Sequence, residues 1–256
     1  MFLTQRMKRR HQKSEPKSNR LPLFQTPLPT VCDQVNVAGT AAVLRAIRAQ
    51  ASPPRLIMLS SLVAREPQIS WYARSKSAGE QLLTESADLD HVVIRPPAVY
   101  GPGDKEMLPI FQCMQRGFAP VPGALEARLS LIHVSDLVTA MIACLQSEAA
   151  SGQTLTLCDG RRGGYNWHEM ADIAAQHWSR RVRLWQIPHW LLNNIAAMNS
   201  KLAGITGNAP MLTPEKVREL RHSDWVVDNT AIFSATGWTP SVELRQGLQL
   251  LKLPAL

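Results

Sequence analysis

The stretch RLIMLSS, residues 55–61, decides how this chain folds. It is a short apolar run of strand length that ends in two serines, and Pro53 and Pro54 precede it. A second run, HVVIRPP at residues 91–97, has the same character and ends in proline. Short apolar runs of this kind are typical of strands that are buried on both faces of a parallel sheet.

The segments around these two runs predict helices. Apolar residues recur at helical spacing in VNVAGTAAVLRAIRAQ, residues 35–50, and WYARSKSAGEQLL, residues 71–83, also predicts a helix. Strand, helix and strand at this spacing form a βαβ unit, which implies a parallel sheet with right-handed crossovers. The predicted fold class is therefore α/β.

Later segments continue the alternation of strands and helices. TLTLCD, residues 154–159, predicts a strand. Asn166 followed by Glu169 is the spacing of a capping box, and Thr213 followed by Pro214 is typical of a helix start. The second half of the chain is therefore predicted to be mostly helical.

Composition excludes several classes of protein. Apolar residues make up 45% of the 256 residues, which suffices for a sizeable core. No apolar run approaches the roughly 18 residues of a membrane-spanning helix. The four cysteines show no CxxC spacing, which argues against a zinc site or a disulfide framework and favours the cytoplasm. We expect no metal ion.

The net charge of +8 is concentrated at the start of the chain. Residues 1–20 hold seven Lys or Arg against one Glu, a net charge of +6. Residues 1–30 are polar, basic and rich in proline, so they are predicted to be a disordered tail. Because the basic charge belongs to this tail and aromatic residues are not interleaved with it, we expect no nucleic-acid partner.

Tyr72 and Lys76 are the first candidates for chemistry. At positions i and i+4 of a helix they share one face, and an ammonium near a phenol lowers the pKa of the phenol. Ser61 ends the preceding strand, where its hydroxyl could donate to a substrate oxygen while Tyr72 transfers a proton. The alternative is structural: Ser61 caps a strand end, and Asn36 is an ordinary helix N-cap.

The ordered series NVAGT, LSS, YARSK, RPPAVYGPGD and IHVSDL resembles the extended short-chain dehydrogenase/reductase family, which includes the NAD-dependent epimerases and dehydratases and their relatives similar to hydroxysteroid dehydrogenases. The match runs from about Val35 to the closing GWTPSVELRQGL segment. The resemblance implies a partial Rossmann-like parallel sheet with flanking helices and a smaller, mostly helical substrate lobe. It divides the chain into the tail 1–30, a truncated NAD(P)-binding domain 31–150 and a lobe 151–256, to which residues 101–128 contribute.

The resemblance also assigns roles. Ser61, Tyr72 and Lys76 would be the catalytic triad, Lys76 would also bind the nicotinamide ribose, and Asn36 would support Lys76 through water. Further positions that match the nicotinamide-binding segment are Pro96, Pro97, Ala98 and Val99. His133 and Asp136 match a strand-to-helix corner, where a structural role is favoured because both are explained by their places at a strand end and a helix start.

One part of the family pattern has no counterpart here. The family begins with a strand and a glycine-rich turn that holds the cofactor pyrophosphate at a helix N-terminus. The 34 residues before Val35 contain no glycine, and the cluster of Gly160, Gly163 and Gly164 is favoured as a plain turn because Asp159 is acidic. We therefore expect NAD or NADP to bind weakly, and the missing half-sheet suggests a truncated reading frame.

Two functions remain open at this stage. A third, binding of nucleic acid or of an anionic membrane through the basic tail, is disfavoured because the tail lacks interleaved aromatic residues and helical order. The first is an NAD(P)-dependent oxidoreductase, epimerase or dehydratase acting at a hydroxyl or carbonyl carbon of a small substrate, either lipid-like or a sugar nucleotide. The second is a remnant without catalysis that binds a substrate or a partner. A homodimer is possible under either hypothesis.

Overall fold

The computed structural model describes residues 29–206, 212–251 and 253. Most of the predicted tail 1–30 lies outside these residues, and its disorder stays a prediction. Pro29 and Thr30 do not belong to a tail, because they begin a helix. Among the described residues, no helix combines the length and the apolar character needed to cross a membrane.

Strands and helices alternate through much of the chain. The strands are β1 (Leu56–Leu59), β2 (His91–Arg95), β3 (Ala98–Tyr100), β4 (Phe118–Val121), β5 (Arg128–Leu129), β6 (Leu131–His133), β7 (Thr154–Thr156), β8 (Arg183–Gln186) and β9 (Asp224–Trp225). The α-helices are α1 (Pro29–Asp33), α2 (Gly39–Arg48), α3 (Trp71–Thr84), α4 (Leu108–Gln115), α5 (Val134–Gln146), α6 (Trp167–Trp178), α7 (His189–Thr206), α8 (Pro214–Arg221), α9 (Thr230–Thr236) and α10 (Leu244–Leu250).

The main sheet is parallel and has the strand order β1-β2-β7. Leu56 lies opposite His91, and Val93 lies opposite Thr154. Three further parallel pairs join β3 to β6, β4 to β8 and β5 to β9. The predicted α/β class with a parallel sheet is confirmed. The strands predicted at 55–61 and 91–97 are shorter than predicted, since β1 covers Leu56–Leu59 and β2 covers His91–Arg95.

The helix predicted at 35–50 begins earlier and is not regular. α1 runs into a π-helical turn, Gln34–Ala38, which continues as α2. The hydroxyl of Thr40 donates a 2.6 Å hydrogen bond to the main-chain oxygen of Asn36 within this turn. Periodicity could not predict the turn, because a π turn changes the register of the apolar face by one residue.

β1 forms the edge of the described main sheet. It pairs only with β2 among the described strands, and Leu59 is 42% exposed. α5 packs against β1 and carries three exposed apolar residues at helical spacing, Val138, Ile142 and Leu145. On this side of the molecule, the edge of β1 that has no partner strand among the described residues therefore lies beside the exposed apolar residues of α5.

Part of the range 151–256 packs with the main sheet and not apart from it. β7 pairs with β2 in the main sheet, although it falls inside the predicted lobe. Ile232 of α9 and Trp238 pack in the same hydrophobic cluster as Val92 of β2. A second cluster, which joins α4, α6 and α10 around Tyr100, forms the core next to the sheet.

Candidate functional site

The end of β1 and the start of α3 bring Ser61 and Tyr72 together. Ser70 caps α3, and its hydroxyl oxygen accepts a 3.0 Å hydrogen bond from the amide of Ala73. Ser61 follows β1 in an extended conformation, and its hydroxyl lies close enough to the phenol of Tyr72 to lower the pKa of that phenol. Because two rigid elements hold the two hydroxyls, the pair is positioned before any substrate arrives.

Lys76 lies one helical turn after Tyr72. Its Nζ atom is 5.8 Å from the centre of the Tyr72 ring and donates a 3.2 Å hydrogen bond to the main-chain oxygen of Leu59. Burial lowers the pKa of the Lys76 ammonium, and the Glu80 carboxylate partly opposes this effect. The ammonium therefore lies between the phenol and the exposed edge of β1.

Asn36 reaches the site through the main chain of α3. Its side-chain amide donates a 2.8 Å hydrogen bond to the hydroxyl of Ser75, and that hydroxyl donates to the main-chain oxygen of Tyr72 at 2.9 Å. Ser75 is fully buried. The structure thus connects Asn36 to the helix that carries Tyr72, while the water-mediated role towards Lys76 stays a prediction.

The segment predicted to lie beside a nicotinamide follows β2. Pro96 and Pro97 are buried, and Ala98 and Val99 are half-buried. The main-chain oxygen of Pro96 accepts a 2.8 Å hydrogen bond from the amide of Leu62. The segment therefore lies directly beside the turn that begins after Ser61.

Three charged residues lie near Tyr72 that the sequence patterns did not indicate: Glu106, Lys216 and Glu219. Lys216, on α8, lies 3.3 Å from Glu219 and 3.6 Å from Glu106, measured between Nζ and Oε2 atoms. Glu219 is buried and accepts a hydrogen bond from the hydroxyl of Ser70, two residues before Tyr72. Local sequence patterns could not indicate this group, because Lys216 and Glu219 lie more than a hundred residues after α3 and Glu106 lies in an irregular loop.

These charges act on the Tyr72 phenol from several sides. Burial raises the pKa of Tyr72 to about 12. Lys216 opposes the shift, Glu106 and Glu219 add to it, and the Ser61 hydroxyl lowers the pKa. The two carboxylates outweigh burial at Lys216 and raise the pKa of its ammonium. Tyr72 therefore holds its proton at neutral pH and can donate it.

Two glycine-containing turns follow strands and precede helices, and an aspartate occupies each. Asp104 follows Gly103 and accepts hydrogen bonds from the amides of residues 106, 107 and 108 at the start of α4. Asp159 precedes Gly160 and accepts from the amide of Arg161 and, at 2.6 Å, from the hydroxyl of Tyr165. An anion would find these donors already bound, so neither turn fits a pyrophosphate.

His133 and Asp136 are both buried at the β6–α5 corner. A ring nitrogen of His133 lies 2.7 Å from the hydroxyl of Ser135. The Asp136 carboxylate accepts from the amide and hydroxyl of Ser241 and from the amide of Val242, at 2.7–2.9 Å. These contacts fix the chain before α10, in agreement with the structural role favoured from the sequence. The described residues contain no cluster of three or more metal-binding side chains.

Comparison with known proteins bears on the family of the chain. A model of the NAD dependent epimerase/dehydratase family matches residues 26–158. A ceramide reductase from Caulobacter vibrioides is 36% identical over 195 residues, covering 75% of this chain and 59% of that protein. A UDP-glucose 4-epimerase from Vibrio cholerae is 23% identical over 191 residues, covering 70% of this chain and 51% of that protein.

Solved structures share the fold at low sequence identity. A putative epimerase from Burkholderia cenocepacia matches with a TM-score of 0.65 and 19% identity, covering 87% of this chain and 70% of that one. RMD from Pseudomonas aeruginosa, complexed with NADPH, matches with a TM-score of 0.61 and 19% identity, covering 87% and 73%. The chain spans 59% and 51% of the two curated relatives above.

Proposed function

Since the chain belongs to the NAD-dependent epimerase/dehydratase family, we propose that it serves an NAD(P)-dependent reaction at a hydroxyl or carbonyl carbon, with Tyr72 as the proton-transferring group. The observation that carries the proposal is the proximity of the Ser61 hydroxyl to the Tyr72 phenol, whose pKa it lowers, with the Lys76 ammonium 5.8 Å from the same ring. When bound, the nicotinamide cofactor supplies or accepts the hydride.

Each residue has a distinct task in this proposal. Ser61 donates a hydrogen bond to the substrate oxygen and orients it towards the phenol. Tyr72 gives its proton to that oxygen during reduction, or takes it back during oxidation. Lys76 favours the phenolate that remains, because an opposite charge stabilises the ionised form. Asn36 positions Tyr72 through Ser75 and the main chain of α3.

We place the nicotinamide end of the cofactor beside Lys76 and the segment Pro96–Val99. The described residues offer no open turn for the pyrophosphate, because Asp104 and Asp159 occupy the two candidate turns. We therefore propose that NAD(H) and NADP(H) bind weakly to this chain. Calorimetric titration measures it, and a dissociation constant in the low micromolar range would contradict it.

For the substrate, a lipid is favoured over a sugar nucleotide. The identity to the ceramide reductase is 36%, against 23% to the UDP-glucose 4-epimerase, over similar lengths. A phenol that keeps its proton at neutral pH also suits the reduction of a ketone, since the alkoxide that forms needs a proton donor. We propose a long-chain amide lipid bearing a ketone as the substrate class.

The test follows reduced nicotinamide by absorbance with a ketone analogue of ceramide as substrate. With a UDP-sugar it follows the sugar product by chromatography, because epimerisation causes no net change in reduced nicotinamide. Tyr72→Phe should lower turnover by about 10²–10⁴-fold. Tyr100→Phe is the matched control, because its hydroxyl is buried and makes no hydrogen bond within the described part of the chain. Cofactor binding without turnover of either substrate, or no binding at all, would favour the non-catalytic remnant instead.

A further inference from the structure

An exposed face of the lobe combines aromatic residues with unpaired arginines. In the parallel β4/β8 pair, Phe118 lies opposite Arg183 and Pro120 lies opposite Trp185. Alternate residues of these strands, Ala119, Val121 and Leu184, and Val182 just before β8, pack into the core around Tyr100. Because strand side chains alternate between faces, the two registered pairs point away from that core together.

The outward face is accessible. Trp185 is 59% exposed and Phe118 is 38% exposed. Four arginines surround them in the sequence and are exposed: Arg116, Arg180, Arg181 and Arg183. The guanidinium of Arg180 donates to the main-chain oxygen of Arg116 at 3.3 Å, so the turns before β4 and β8 lie side by side. We call these six residues the basic aromatic face.

The charge of this face is not compensated by its own segments. No Asp or Glu occurs between Glu106 and Glu126 or between Asp172 and Glu215. Within the described ranges, none of the four arginines forms an ion pair with another residue. α7, which begins three residues after β8 ends, carries two further exposed apolar side chains, Trp190 with 64% of its surface exposed and Met198 with 58% exposed.

We propose that the basic aromatic face docks on an anionic lipid bilayer, with Phe118 and Trp185 in the headgroup region and the arginines on lipid phosphates. Tryptophan prefers the membrane–water interface, because its ring is apolar and its N–H is polar. Guanidinium groups form paired hydrogen bonds to phosphate, and each basic residue near an anionic surface contributes about 1 kcal/mol to binding.

The proposal does not depend on the reaction proposed above. An exposed amphipathic surface binds a bilayer whether or not the Tyr72 site turns over. Failure of the activity assay therefore leaves this inference intact, and failure of vesicle binding leaves the proposed reaction intact.

Flotation of the full chain with lipid vesicles tests the proposal. The protein should float with vesicles of phosphatidylcholine and phosphatidylglycerol and much less with phosphatidylcholine alone. Arg181→Glu/Arg183→Glu should weaken binding by at least about tenfold, because reversing two charges changes the net charge of the surface by four units. Arg45→Glu/Arg48→Glu, on α2, is the matched control and should leave binding close to that of the unmodified protein.

The apolar part is tested separately. Trp185→Ala should weaken binding in high salt, where arginine contacts are screened, and should reduce quenching of tryptophan fluorescence by brominated lipid. Leu145→Ala, which trims an equally exposed apolar residue on α5, should not. Melting temperatures check that all variants fold. We expect them to fold, because within the described structure no substituted side chain except that of Arg48 makes a side-chain hydrogen bond.

Three results would overturn the proposal. The first is failure of the unmodified protein to float with anionic vesicles. All variants could bind as the unmodified protein does, which would place the contact in the basic residues before Pro29. Finally, the arginine variants could lose binding to a single-stranded oligonucleotide and keep binding to vesicles, which would make the face a nucleic-acid site.

Discussion

A β-carbon placed on Gly79 would lie 2.5 Å from the main-chain oxygen of Asn36. Gly79 is on α3 and Asn36 is in the π-helical turn before α2, so the two segments meet at backbone distance. This contact and the Asn36–Ser75 hydrogen bond hold the same stretch of α3. The position of Tyr72 therefore depends on a glycine two turns further along its helix.

Gly79→Ala should destabilise the protein by about 1–3 kcal/mol, because overpacking against backbone outweighs the helix propensity of alanine. Gly39→Ala is the matched control: its β-carbon would be 3.6 Å from the nearest atom, an ordinary contact. That variant should be about 0.5–1 kcal/mol more stable than the unmodified protein. Denaturant unfolding compares the two, and equal effects would contradict the close contact.

The Glu80–Arg95 pair joins α3 to β2. Glu80 is buried, and Arg95 Nε donates to its two oxygens at 3.0 and 3.1 Å. Arg95→Met leaves the carboxylate buried with only the hydroxyl of Ser60 and should cost about 3 kcal/mol, the lower end of the range for breaking a buried pair.

The control for this pair is exposed. Arg48 and Asp88 form a salt bridge at 2.8 Å on the surface, and Arg48→Met should leave the unfolding midpoint almost unchanged. The double substitution Arg95→Met/Glu80→Leu should recover part of the lost stability, because no charge then remains buried. If it were no more stable than Arg95→Met, the cost would come from lost packing rather than from the charge.

Titration of the phenol observes the site without cofactor or substrate. The chain has three tyrosines, and burial raises the pKa values of Tyr100 and Tyr165 beyond that of Tyr72. Tyr72 should therefore titrate first, near pH 12. Lys216→Met should raise this pKa and Glu106→Gln should lower it, as their charges require. Phenolate absorbance below 300 nm would record both shifts, with circular dichroism to show that the fold persists.

The same shift predicts a loss of stability in alkali. The folded-state pKa of Tyr72, about 12, exceeds the unfolded value of about 10, so the folded state holds the proton more tightly. This contribution is fully present below about pH 10 and is lost as the pH rises towards about 12. Tyr72→Phe should have a flatter stability profile in that window. A profile identical to that of the unmodified protein would show that the phenol is not shifted.

The apolar stripe on α5 should cause self-association. Ile142 is 49% exposed beside the edge strand β1. Ile142→Lys should raise the monomer fraction seen by light scattering without lowering the melting temperature, because the side chain is not in the core. Gln146→Lys adds the same charge on the same helix at an exposed polar position. An equal improvement from both would show that net charge, not the stripe, controls association.

Local sequence signals were sufficient for several elements. The capping box of Asn166 and Glu169 and the Thr213 cap with Pro214 are present as predicted. So is the helix that carries Tyr72 and Lys76. Such signals involve residues three to five positions apart, where chain geometry fixes which groups can meet. The π-helical turn at Asn36 was missed, because it depends on the approach of α3 through Gly79.

The sequence by itself determined the α/β class, the alternation of strands and helices from β1 to β2, and the family of the chain. It also placed Ser61 at a strand end and Tyr72 and Lys76 on one helix face. Only the tertiary structure decided which charges surround the phenol, because Glu106, Lys216 and Glu219 reach α3 from distant segments. It likewise decided that Phe118 and Trp185 share an exposed face, since the pairing of β4 with β8 is a contact between residues more than sixty positions apart. Contacts at that range depend on packing of the whole fold, and no local pattern specifies them.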